Sequence, residues 1–214
     1  KGGVGVKTLQ RTGLMVLLML GASVQAATPA AGTVIKNQAS ASYRACLDDG
    51  CTEQAEAQRV TSNLVQTLVQ NVPGIELVSD QGKPAVPGGL VYFSHVLTNT
   101  GNGRDQYQLC ITNVDSDIDA WAVYADGNGD GQPDAGGALF TQSDADGCWD
   151  NLTPDMISGE TFSLVVEAEL SAGTVAGQQP SLQVRARSDA DNTLLAINTD
   201  EADVIDGPLS LIHI

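Results

Sequence analysis

The sequence predicts an all-β chain, an antiparallel β-sandwich preceded by a long N-terminal β-hairpin, on three observations. From Ile75 onward, short runs alternate apolar and polar residues with period two. Explicit turn words separate those runs: Pro87-Gly88-Gly89, Asn99-Thr100-Gly101-Asn102-Gly103 and Ala172-Gly173. No helix of ordinary length is evident after the first 26 residues, because apolar residues there do not recur at three- and four-residue spacing.

The chain starts with secretory grammar. Lys7 and Arg11 precede an apolar run from Gly13 to Ala22, and Val24-Gln25-Ala26 places small residues at the cleavage-determining positions. Residues 1–26 are therefore expected to be a signal peptide, with residues 1–5 upstream of a start at Val6. The apolar run is shorter than the ~20 residues that span a bilayer, and no later segment approaches that length, so no integral membrane segment is expected.

Residues 27–72 form the hairpin segment. Ala39, Ala41, Tyr43 and Ala45 alternate with Ser40, Ser42 and Arg44, and a second strand is expected from Val60 to Val72. The two make one long hairpin over residues 33–72, closed at Leu47-Asp48-Asp49-Gly50. A two-stranded hairpin is marginal alone and is expected to lie on something else. Pro73-Gly74 marks the boundary.

Residues 73–208 form the sandwich. Strands are expected at Ile75 to Val78, Leu90 to Thr98, Gln106 to Thr112, Ala120 to Tyr124, Phe162 to Leu170 and Leu182 to Arg187, with a last one ending near Ile205. Alternation turns Val91, Phe93, His95 and Leu97 inward. It does the same for Tyr107, Leu109 and Ile111, for Trp121 and Val123, for Phe162, Leu164, Val166, Ala168 and Leu170, and for Leu182, Val184 and Ala186. Residues 209–214 are expected to be a sequencing-adapter scar and are left out of the fold.

The net charge of −16 excludes nucleic acid and anionic membrane surfaces as partners. Four cysteines in an exported chain suggest two disulfides. Cys46 and Cys51 flank the hairpin turn, which favours their pairing and leaves Cys110 with Cys148. Neither pair has C-x-x-C spacing, and His95 is the only histidine before residue 209, so a zinc site finds no ligand set.

The stretch Asp126-Gly127-Asn128-Gly129-Asp130-Gly131-Gln132-Pro133-Asp134 sets a side-chain oxygen at every second residue. Ca²⁺ takes six to eight oxygen ligands, and a twelve-residue calcium loop supplies them from positions 1, 3, 5, 7 and 9 with glycine at position 6. Those positions are Asp126, Asn128, Asp130, the Gln132 carbonyl and Asp134, with Gly131 at the turn. Gly137 stands where a bidentate Glu closes a strong site, so the expected Ca²⁺ site is weak and structural. The competing reading is a solvated Gly/Asn/Asp turn. Asp144, Asp146 and Asp150 are candidates to complete the shell, and Asp115, Asp117 and Asp119 to rim the same end of the sandwich. An enzyme is not expected, since His95 points inward and aromatics make up only 4% of the chain, too few to build a sugar cleft.

Several phrases, in order, resemble the conserved-repeat β-sandwich of bacterial surface proteins, the domain-of-unknown-function eleven group. They are Ala31-Gly32-Thr33-Val34-Ile35 with Asn37-Gln38-Ala39, Thr61-Ser62-Asn63-Leu64-Val65, the two turn words at 87–89 and 99–103, Trp121 leading into Asp126-Gly127-Asn128-Gly129-Asp130-Gly131, and Asn198-Thr199-Asp200. The resemblance implies an immunoglobulin-like module repeated in tandem in long secreted or cell-surface proteins, without enzymatic activity. Its implied partners are neighbouring repeats, the chain then being the N-terminal part of a longer protein; the alternative expectation is a module that binds other surface proteins or glycans through the calcium-loop end. The four cysteines depart from that pattern.

Mass spectrometry of the exported protein is expected to show Ala27 first and a mass four hydrogens below that of the reduced chain. Free thiols, or a Cys46–Cys110 bridge, would overturn the hairpin pairing.

Overall fold

Alternation from Ile75 onward buries one face of each run, and two such faces close on each other. The computed structural model describes residues 28–45, 47, 55–144 and 146–206. Its strands are β1 (Val34–Asn37), β2 (Ser40–Tyr43), β3 (Gln58–Thr61), β4 (Val65–Leu68), β5 (Ile75–Val78), β6 (Gln81–Ala85), β7 (Leu90–Asn99), β8 (Tyr107–Thr112), β9 (Ile118–Ala125), β10 (Phe140–Thr141), β11 (Thr161–Leu170), β12 (Ser181–Ser188) and β13 (Leu195–Val204). One sheet has the order β10-β9-β11-β7-β5 and the other β6-β13-β12-β8.

All pairings are antiparallel except β6 with β13, which is parallel. The N-terminal strand of the sandwich starts beside β7 as β5, then crosses to the other sheet as β6. With β7-β11-β9 against β8-β12-β13, this is the strand order of an immunoglobulin-like sandwich.

Every inward position expected from alternation is buried except Phe162, which is half-buried and packs against the core from the start of β11. Phe93, Leu97, Tyr107, Leu109, Val123, Leu164, Val166, Leu182 and Val184 are all buried. Each aliphatic or Phe side chain so buried contributes about 1.5–3 kcal/mol relative to exposure. Trp121 packs edge-on against Phe140 at 5.8 Å between centroids. The Tyr107 hydroxyl donates to the Gly74 carbonyl at 2.8 Å. Burial, and then the charge of Asp105, push its phenol pKa above the ordinary value.

Two strands escape the sequence pattern. β6 contains Gly82 and Pro84, and proline demotes a run read in isolation, yet an edge strand tolerates it. β10 is only two residues long and exists through its pairing with β9.

The strands expected to make a long hairpin over residues 33–72 do pair in nested antiparallel order, with one break in the ladder. β1 pairs β4 from Val34↔Leu68 to Asn37↔Val65, and β2 pairs β3 from Ser40↔Thr61 to Tyr43↔Gln58. Two residues separate the strands on the outgoing side and three on the return, and the extra one interrupts the ladder as a bulge does. All four strands are exposed along their whole length, so the surface on which the arm was expected to lie is not the sandwich of the same chain. Cys46 and Cys51, and with them the expected bridge, lie outside the described residues.

One polar contact crosses the core. His95 of β7 and Asp200 of β13 meet at 2.7 Å between Nε2 and Oδ2, both side chains fully buried. The other ring nitrogen, Nδ1, stands 3.2 Å from the carbonyl of Val78. Nδ1 also stands 3.4 Å from the amide nitrogen of Asn198, so both ring nitrogens are engaged inside the core. Removing one partner leaves the other's buried polar atoms without a hydrogen bond, which costs about 1–3 kcal/mol. His95→Ala and Asp200→Ala are each expected to lower the unfolding free energy by that order in urea titrations. A loss of less than about 1 kcal/mol from both would show that the pair does not hold the sheets.

Candidate functional site

β9 ends at Ala125, and the loop that follows carries the expected oxygen ladder. Asp126 is 3% exposed and acts as the organiser. Its Oδ1 accepts the Asp130 N–H and its Oδ2 the Gly131 N–H, both at 3.1 Å. Asn128 Oδ1 accepts the same Asp130 N–H at 3.1 Å, Asp130 Oδ1 accepts the Gln132 N–H at 2.9 Å, and Asp134 Oδ2 reaches back to the Gly127 N–H at 2.7 Å. Four of the five expected ligand residues thus turn a side-chain oxygen onto the loop's own backbone.

Gly131 adopts φ 75°, and a Cβ there would meet Ser94 Oγ at 2.8 Å. Both the left-handed backbone and the close approach to β7 require glycine at this sixth position. The loop therefore lies across the outer face of the β7 sheet. Lys83, Tyr92, Ser94 and Asp130 line a cleft of about 410 Å³ beneath it.

The loop matches a cation loop in backbone but is closed on itself in side chains. Among the described residues no group of three or more His, Cys, Asp or Glu side chains stands in a metal-holding arrangement. The Asn128 amide donates to Asp130 Oδ2 at 3.0 Å, so positions 3 and 5 bond each other. Gly137 takes φ 83°, a conformation that penalises any side chain at the twelfth position.

The neighbouring acids do not join this loop. Asp144 Oδ2 accepts the Thr141 N–H at 2.7 Å and Asp146 Oδ1 the Cys148 N–H at 3.0 Å, so both shape the turn that carries Cys148. Asp115, Asp117 and Asp119 are a further correction. They gather at the start of β9, whereas Asp126 follows its end, which puts the two sets at opposite poles of the sandwich. There Asp115 Oδ1 accepts the Asp117 N–H at 3.0 Å, and Asp117 accepts from Gln178 at 3.1 Å.

The Cys110–Cys148 disulfide is present, with the sulfurs 2.07 Å apart. Cys110 sits on the outward face of β8, as its register requires. The Gly147 carbonyl accepts the Ile111 N–H at 2.8 Å and the Leu109 carbonyl accepts the Trp149 N–H at 2.9 Å, so the stapled loop continues the sheet beyond β8. Arg185 lies over the bridge, with one guanidinium nitrogen 3.4 Å from the Cys110 sulfur. Trp149 stacks on Phe162 at 6.5 Å and is half-buried, so it does not form an exposed recognition patch beside the acids.

Sequence reasoning missed two asparagines that build the joint between arm and sandwich. Asn99 is fully buried, donates to Gly103 and Met156 carbonyls at 2.9 and 2.8 Å, and accepts from the Gly101 N–H at 2.9 Å. Asn102 accepts the Val72 N–H at 2.8 Å and donates to the Gln70 carbonyl at 3.0 Å. Both lie in the word Asn99-Thr100-Gly101-Asn102-Gly103, whose turn character was legible and whose clamping role was not.

No protein-family model matches the chain, and no curated protein matches its sequence. The finer resemblance to the domain-of-unknown-function eleven group therefore has no family match behind it. Among solved structures, the chain is similar to the major pilin subunit BcpA of Bacillus cereus, at 13% identity and a TM-score of 0.39, over 79% of this chain and 48% of that one. It is also similar to AggA, the major subunit of aggregative adherence fimbriae type I from Escherichia coli, at 13% identity and a TM-score of 0.32, over 64% and 96%. The secreted serine protease VesC from Vibrio cholerae is similar at 11% identity and a TM-score of 0.36, and the chain spans only 23% of its length. At TM-scores below 0.5 these likenesses carry no argument about what the chain does.

Proposed function

We propose that this chain is a non-catalytic, immunoglobulin-like module of an exported or cell-surface protein, with structural or adhesive work and a weak, structural calcium loop. The observation that carries the non-catalytic part is where His95 goes. It is the one histidine among the described residues, its side chain is fully buried, and both ring nitrogens are engaged inside the core. A general base must reach the proton it takes from a substrate or nucleophile, and this one reaches neither. The Cys110–Cys148 bridge supports an oxidising compartment outside the cytosol.

The calcium part rests on the chemistry of the donor set. Asp126, Asp130 and Asp134 concentrate three carboxylates within nine residues, and each oxygen, with at most one N–H contact described, keeps a lone pair. A bound Ca²⁺ would offset their mutual repulsion. Asn128 and the Gln132 carbonyl would supply neutral oxygens, as in calcium loops generally. The Asn128–Asp130 contact would have to open, which fits a weak site.

A second reading, glycan or protein binding at the loop end, is favoured by the cleft of about 410 Å³ that sets Tyr92 and Lys83 beside Asp130. Aromatic and charged groups around one recess suit a polar ligand.

Millimolar Ca²⁺ acting on a site of ~10⁻⁴ to 10⁻³ M is expected to stabilise the fold by only about 0.4–1.4 kcal/mol. Thermal unfolding with and without calcium should show that small rise for the wild type and for Asp189→Ala, and none for Asp130→Ala. No rise in wild type and no heat by titration calorimetry would leave the loop as a self-closed turn. Gly137→Glu is a poor test, because its backbone strain would mask the added ligand. In the intact gene, further sandwich repeats or a surface anchor are expected beside this module, and a catalytic domain there would overturn the structural reading.

A further inference from the structure

Two Asn-Gly words stand in the sequence, Asn102-Gly103 and Asn128-Gly129. As sequence they carry the same chemistry. In such a word the glycine nitrogen, which no side chain shields, can attack the side-chain amide carbon of the asparagine and close a five-membered imide. The fold sets the two words in opposite circumstances.

Asn102 is clamped. Its Oδ1 accepts the Val72 N–H at 2.8 Å, and its Nδ2 donates to the Gln70 and Pro29 carbonyls at 3.0 and 3.4 Å. Its own N–H donates to the Val72 carbonyl at 3.1 Å, and its carbonyl accepts the Ala31 N–H at 2.8 Å. All of these partners lie at the root of the arm, so the side chain cannot swing onto the Gly103 nitrogen without opening that joint. Asn128, by contrast, is exposed and makes its side-chain contacts within its own loop. Its Oδ1 accepts the Asp130 N–H at 3.1 Å and its Nδ2 donates to Asp130 Oδ2 at 3.0 Å. Both contacts are to the residue two places ahead, so the side chain arches over the Gly129 peptide whose nitrogen must attack it. Gly129 takes φ 71°, and a Cβ built on it would meet nothing within 4 Å, so its surroundings are open to water. The Asp130 N–H also points at the oxygen on which negative charge gathers during the attack, the placement that stabilises an oxyanion.

We propose that Asn128-Gly129 is a self-modification site, an asparagine that converts to aspartate or isoaspartate with water as the only co-reactant, and that Asn102-Gly103 is held unreactive by the fold. The Gly129 nitrogen gives its proton to solvent and bonds to Asn128 Cγ. The bond from Cγ to Nδ2 breaks, and Nδ2 takes a proton from solvent and leaves as ammonia. Water then opens the imide. Addition at Cγ breaks its new bond to the Gly129 nitrogen and leaves aspartate on the original backbone. Addition at the Asn128 backbone carbonyl breaks the original peptide bond and leaves isoaspartate, with the chain running through the side chain. The first product adds a carboxylate beside Asp126, Asp130 and Asp134. The second lengthens the chain by one carbon between Asp126 and the Asp130 and Gly131 N–H groups that it holds, which takes the turn out of register. Neither step depends on calcium or on the module's role.

Peptide mapping by mass spectrometry of the exported protein, aged folded in a mildly alkaline buffer with chelator and in parallel in urea, tests it. The peptide holding residue 128 is expected to gain one mass unit, localised there by fragmentation. It should split into two chromatographic forms, one of them coeluting with the same peptide from Asn128→Asp. In the folded protein conversion at residue 128 is expected to be at least about tenfold faster than at residue 102, where three side-chain hydrogen bonds must first be given up. In urea the gap should close, because both words then keep only their shared local chemistry. An Asn128 that stays intact in the folded protein while it converts in urea would overturn the proposal. So would equal conversion of both words in the folded protein, or a gap that persists in urea, which would make local sequence rather than the fold its cause.

Discussion

The sandwich depends on how its first strand changes sheets, and the buried contact between His95 and Asp200 sits at that crossing. Val78, whose carbonyl faces His95, is the last residue of β5. Gln81, the first residue of β6, is the register partner of Asp200. One imidazole–carboxylate pair thus touches the chain where it leaves one sheet and where it joins the other. Asp80, between the two strands, accepts the Thr199 N–H at 2.8 Å and holds the crossing from outside. Leaving β7 strips backbone partners from its edge, and side chains of β6 replace them: Gln81 donates to the Ser94 carbonyl and Lys83 to the Tyr92 carbonyl, each at 2.5 Å.

This pair serves position more than stability. Asp200 Oδ1 is buried with no hydrogen-bond partner, so the desolvation of the carboxylate is only partly offset. An aliphatic pair of the same volume would fill the space at lower cost, but aliphatic contacts are indifferent to a slip along the strand. A two-residue slip preserves which face is buried, and nothing in the apolar pattern forbids it. A directional contact at 2.7 Å does forbid it, because it admits one alignment of β13 against β7. The Cys110–Cys148 bridge does similar work at the far edge. It fixes the loop of residues 147–156 along β8, an edge that would otherwise present free backbone groups.

Much of this was legible in the sequence, and the failures have specific causes. Period two placed the inward side chains of β7, β8, β9, β11 and β12 on the correct face, with only Phe162 less than fully buried, because in a strand the pattern and the burial are the same fact, whereas Ile118, Phe140 and Met156 joined the core without such a signal. It also put His95 inside and Cys110 outside. What it could not supply was pairing. β6 reads as a turn through Gly82 and Pro84, and only the neighbouring β13 makes it a strand. The acids illustrate the same limit in the loops. Asp115–Asp119 and Asp126–Asp134 look alike as compositions, yet they flank the two ends of β9 and cannot share a cation. Within the second set the oxygen spacing was legible. That Asp126 spends both oxygens on Asp130 and Gly131 N–H groups was not, because a carboxylate that caps a turn and one that awaits a metal have the same spacing.

The arm shows where periodicity stops being informative at all. Ala39, Ala41 and Tyr43 alternate with polar residues as cleanly as Val91, Phe93 and His95 do, and the same inference assigned each set a buried face. For β7 that face meets a second sheet of the same chain. For β2 it meets water, with Tyr43 55% exposed. Alternation reports that one face of a strand is suited to burial, and it carries no information on what buries it. Apolar side chains held in water on a strand with free edges also invite indiscriminate pairing. Lys36, Arg44 and Arg59 interrupt those side chains, and charged residues on an exposed strand are one way in which such pairing is opposed.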